Sequence, residues 1–88
     1  MFRLWGKIFK DNRLLMDKVI CDDTNKTRTK KIFGALDTLC YEFDLEKPIW
    51  LDSNISEFQK VSKTRFYQDN FIETVQYDHL EIQVIEED

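Results

Sequence analysis

The sequence predicts an α+β fold: a mostly antiparallel sheet covered on one face by a long helix and a short helix. Three observations carry this. Residues 2–9 and 79–85 alternate with a period of two. Ile32, Leu36, Leu39 and Phe43 recur at spacings of 4, 3 and 4, which places them on one stripe of a helix. Strand-like and helix-like runs are mixed along only 88 residues, so helices and strands must share one core. The predicted order is β-β-α-β-α-(β)-β, in a single domain spanning 1–88.

Phe2, Leu4 and Ile8 share one face of the first strand, and Arg3, Trp5, Lys7 and Phe9 share the other. "KDNR" at 10–13 is a turn signal, because Asp and Asn tolerate left-handed backbone angles. "LLMDKVIC" at 14–21 returns as the second strand of a hairpin. A helix is expected from about Thr27 to Phe43, with Asp22, Asp23, Thr24 and Asn25 offering N-cap side chains. "PIWL" at 48–51 reads as a third strand. "DSNISEFQKV" at 52–61 reads as a short helix, with Asn54 and Glu57 at capping-box spacing and Ile55, Phe58 and Val61 on one side. Residues 62–76 fit a loop or a strand, and "YDHLEIQVIEE" fits a final strand through Leu80, Ile82 and Val84.

Composition narrows the function classes. The chain is 42% hydrophobic and 14% aromatic, which is globular and not disordered. A net charge of −4 argues against coating nucleic acid by bulk charge. Cys21 and Cys40 have no metal-ligand spacing and are too few for a disulfide scaffold. They read as free thiols in a reducing compartment. The N-terminus lacks the apolar core of a signal peptide, and no apolar run is long enough to span a bilayer. A soluble, cytoplasmic protein with no membrane contact is the expectation.

The opening "MFRLWGKIFKDNR", the middle "YEFDLEKPIWLDSNI" and the closing "KTRFYQDNFIE" with "LEIQVIEED" together resemble a family of small bacterial proteins of unknown function. The resemblance spans the chain. It implies a single-domain protein of bacterial cytoplasm and transfers no activity, ligand or catalytic residue.

Two kinds of site are legible. Lys26, Arg28, Lys30 and Lys31 crowd the start of the long helix, where acidic residues are normally favoured. Free N–H groups and cations there could hold a phosphate, with Arg65 as a further contributor. The plain alternative is that Asp22 and Asp23 neutralise that end. The first strand interleaves Arg3 and Lys7 with Trp5 and Phe9, a pattern able to stack bases, or simply to pair with Glu73, Glu81 or Glu86 across strands. A polar stretch of Arg65, Tyr67, Gln68, Asp69 and Asn70 suits a recognition loop.

Gly34 and Tyr41 mark the outward face of the long helix, and Gly34 invites close approach by a partner. One histidine, His79, and no glycine-rich elbow or phosphate loop argue against an enzyme. No catalytic residue, cofactor or metal site is assigned. The expected role is protein recognition, by another protein or a second copy, with Trp5, Gly34 and Tyr41 as interface candidates. The alternative is nucleic-acid or phosphate binding through Lys26, Arg28, Lys30, Lys31 and Arg65.

Overall fold

The computed structural model describes residues 1–87. Strands β1 (Phe2–Lys10) and β2 (Arg13–Asp22) form a hairpin, followed by helices α1 (Arg28–Glu42) and α2 (Asp52–Val61). Strand β3 (Lys63–Phe66), a single 3-10 turn (Gln68–Asn70) and strand β4 (His79–Glu86) complete the chain. The sheet order is β2-β1-β4-β3 and every pairing is antiparallel. The α+β class and the helix-covered antiparallel sheet are therefore as the sequence predicts.

The hairpin closes through Asp11 and Asn12, both at positive φ (53° and 62°), the signature of a turn whose twist matches that of the strands. The register of β1 against β2 slips between Ile8 and Phe9, so Leu15 is a bulged extra residue. Even-numbered residues of β1 point into the core: Phe2, Leu4 and Ile8 are almost completely buried. Gly6 belongs to the same row, and a Cβ there would lie 2.5 Å from Leu39 Cδ1. The absence of a side chain lets α1 settle on the sheet.

α1 buries Ile32, Ala35, Leu36, Leu39 and Cys40, while Phe43 is half-buried at its C-cap. Its N-cap is Thr27, whose Oγ1 accepts from Lys30 N, and not one of residues 22–25. Asp22 is used earlier, within β2, where its Oδ1 accepts from the N–H and hydroxyl of Thr24. Beyond the helix Leu45 N donates to Cys40 O and Asp44 N to Tyr41 O, with Asp44 left-handed at φ 56°. This is a Schellman ending with aspartate in the place glycine usually takes.

The expected strand at 48–51 does not form. Pro48 has no N–H to give, and Ile49 makes its main-chain bonds with Asn70: Ile49 N to Asn70 O at 2.6 Å, Asn70 Nδ2 to Ile49 O at 2.8 Å. Trp50 instead plugs the core, edge-on to Phe33, Phe58 and Phe66. In α2 only Asn54 and Phe58 are buried; Ile55 and Val61 are exposed, so the expected apolar side is narrower than the spacing implies. The uncertain stretch 62–76 resolves into β3, the 3-10 turn and a loop whose Phe71 is buried.

Candidate interaction surfaces

Helices cover the even-numbered side of β1, so its odd-numbered side is open. There Lys7 Nζ lies 2.6 Å from Glu81 Oε2, and Arg65 Nε lies 2.9 Å from Glu81 Oε1. Lys7 also sits 3.8 Å over the Trp5 ring, whose Nε1 donates to Asp17 Oδ2 at 2.8 Å. Phe9 stacks on His79, directly opposite it, with ring centroids 4.9 Å apart. Arg3 meets Glu86 at 3.0 Å. Arg3 and Lys7 are each matched to an acid across the sheet. The cross-strand alternative is therefore the one realised, with Glu81 and Glu86 as the acids.

Glu81 is buried, which alone would raise its pKa. Hydrogen bonds from Lys7 and Arg65 outweigh that and hold it below the usual carboxylate value. Burial, and then Arg65, lowers the pKa of His79. His79 and Cys21 stand at opposite ends of β1, beside Phe9 and Arg3. Cys40 lies in the core, where burial and then Asp37 push its thiol up to about 11. No thiol and imidazole are brought together for nucleophilic work.

Of the five candidate anion-binding cations, Arg28 and Lys31 line one depression and Arg65 lies apart from the other four. Arg28 forms an ion pair with Glu87 and donates to Ser62 Oγ at 3.0 Å. Glu87 thereby brings a carboxylate to the start of α1, whose first turn has no acid of its own. This answers why the cations are tolerated there: counter-charge arrives from beyond β4 through Glu87 and also from Asp22, whose carboxyl is held below its usual value first by the Thr24 hydrogen bonds and then by Lys26 and Lys31. Lys31 is buried on the flank of the apolar stripe, in a depression lined by Phe2, Arg28 and Glu87. Its aliphatic stem covers apolar surface. Lys26 and Lys30 are exposed. Arg65 is on the opposite side of the sheet, bound to Glu81.

The interface candidates also separate. Trp5 is on the open sheet face, whereas Gly34 and Tyr41 are on the outer side of α1. Tyr41 is 87% exposed. A Cβ at Gly34 would meet nothing within 4 Å, so no packing inside the molecule requires glycine there.

A groove of about 560 Å³ lies between α2, β3 and the 3-10 turn, lined by residues including Ser53, Glu57, Lys63, Arg65 and Tyr67. Its floor is a buried amide pair that sequence reasoning did not single out. Asn70 Nδ2 donates to Asn54 Oδ1 at 2.7 Å, and Asn54 Nδ2 donates to Thr64 Oγ1 and Arg65 O, both at 2.9 Å. Each amide oxygen also accepts a main-chain N–H, from Leu51 and from Tyr67. The pair is saturated with bonds that staple the loop before α2 to β3. The spacing suggests Asn54 as the first residue of a capping box with Glu57; instead Leu51 is the N-cap and Asn54, three residues on, accepts from Leu51 N on its Oδ1.

The remaining feature is β2. It is the terminal strand of the sheet, ten residues long, and holds no Gly or Pro. Leu14, Leu15, Met16 and Val19 are 39–52% exposed. The opposite edge is different: Asn54 caps the main chain of β3 at Arg65.

No protein-family model, curated protein or solved structure matches the chain. Among the described residues no helix is long and apolar enough to cross a membrane.

Proposed function

We propose that this chain is a small cytoplasmic binding module, not an enzyme, which recognises protein through the open edge of β2. The reading of it as one of a family of small bacterial proteins accompanies this proposal and adds no activity to it. One observation carries the functional reading: a ten-residue terminal strand with exposed Leu14, Leu15, Met16 and Val19. Such an edge offers unpaired N–H and C=O groups to an incoming strand, and apolar side chains for specificity. The test compares wild type with Val19→Pro as bait for interacting protein, with amide exchange at Asp17, Val19 and Cys21 as readout. Protection on binding in wild type, lost with Val19→Pro, supports the reading. Capture that is indifferent to Val19→Pro overturns it.

A second reading, phosphate or nucleic-acid binding at the start of α1, is supported by exposed Lys26 and Lys30 and by the absence of acid in the first turn. It predicts an affinity that falls steeply with salt and is lost in Lys26→Glu/Lys30→Glu. Unchanged nucleic-acid affinity in that variant refutes it.

A further inference from the structure

We propose that the occupant of the β2 edge is a second copy of this chain, paired β2 to β2 about a twofold axis at Ile20, so that two four-stranded sheets become one of eight. This rests on the reading of β2 as the recognition edge and names its partner.

The edges argue for closure at two copies. A sheet with two open edges adds strands at both ends and grows into fibres. Here β3 offers only four residues, with Arg65 O taken by Asn54, against ten in β2, so self-pairing through β2 uses the same surface on both molecules and leaves little edge to extend.

The backbone points the right way. Phe9 O accepts from Asp78 N, so Phe9 turns its polar groups toward β4. By alternation Trp5, Lys7 and Arg3 do the same. Their β2 partners are Val19, Asp17 and Cys21, which therefore aim N–H and C=O at the free edge.

Charge selects the register. A twofold axis perpendicular to the sheet must pass beside one residue and its own copy. Centred on Asp17 or Lys18, like charges face one another. A dyad at Lys18 would also bring two α1 ends together, because Glu42 lies over Lys18 at 3.3 Å. Centred on Ile20, Ile20 meets its copy, Val19 meets Cys21, and Lys18 meets Asp22 twice over; the next position, Asp17 opposite Asp23, falls where β2 has ended. The apolar contact then extends the core beside the partly buried Ile20.

Sedimentation of the wild type over a wide concentration range should show a reversible dimer. Lys18→Asp should raise its dissociation constant about tenfold, through two opposed carboxylate pairs. Adding Asp22→Lys should restore it, even though the contact with Glu42 is not restored. Val19→Cys should oxidise to a covalent dimer linking the introduced thiol to Cys21 of the other copy, since facing Cα atoms about 5.5 Å apart are within disulfide reach. A wild type that stays monomeric, a Lys18→Asp variant that dimerises unchanged, a double variant that does not recover, or a link between two introduced thiols overturns the proposal. A monomer that still takes a different protein on β2, with loss in Val19→Pro, leaves the edge reading standing. A monomer with no such capture removes both.

Discussion

Lys7 and Glu81 form a 2.6 Å ion pair that is buried although no helix covers their side of the sheet. Neighbouring side chains provide the cover: Trp5 beneath Lys7, and Arg65 and Gln83 on the flanks. A buried charge left without its partner is costly, but Arg65 would remain for Glu81. Lys7→Met should therefore destabilise the fold by about 2 kcal/mol, less than for a fully isolated charge. Lys7→Met/Glu81→Leu should be more stable than Lys7→Met, because the exposed Arg65 can be solvated. Urea unfolding of the three proteins checks the order.

Stability should fall in acid in two stages. His79 has a folded pKa below 6.5, chiefly from burial, so the unfolded chain binds its proton first. Its contribution is full above 6.5 and is lost as pH drops through the folded value. Glu81, depressed below 4.5 by Lys7 and Arg65 against the effect of burial, contributes fully above 4.5 and is lost further down. His79→Phe should abolish the first stage and retain the second, as read by denaturation midpoints across pH.

The two glycines should respond in opposite senses. Gly6→Ala forces a methyl against Leu39 and should destabilise by about 2 kcal/mol. Gly34→Ala meets open space in a helix and should stabilise by about 1 kcal/mol. Thermal melts of both variants decide this.

Asp44 holds a left-handed backbone angle that costs an L-residue about 1 kcal/mol. Asp44→Gly should recover most of that and raise the melting temperature, with the helix content by circular dichroism unchanged.

The fold was readable where a period ran long enough to be decisive. The alternation of Phe2, Leu4 and Ile8 and the stripe from Ile32 to Leu39 each fixed a buried face. The run 48–51 misled because four apolar residues suit a strand and a core plug equally. What separates them is the bond from Asn70 to Ile49, made across 21 positions. The burial of Lys31 was hidden because a lysine reads as solvated whatever its stem covers. The basic cluster looked convergent on paper, since proximity in sequence says nothing of Glu87 or of which side of the sheet Arg65 takes. The asymmetry of the edges depends on Asn54 reaching β3, and no pattern in one strand alone encodes that.

The middle of the sheet joins the first strand to the last: Lys7 bonds to Gln83 across 76 positions. A chain organised this way has high contact order, so its folding should be slow for its size. On the ribosome the hairpin and helices can form early, but β1 keeps one side unpaired until β4 has emerged. During that interval the exposed main chain of β1 is a second adhesive edge, and the nascent protein is most prone to aggregate before its final strand slots in.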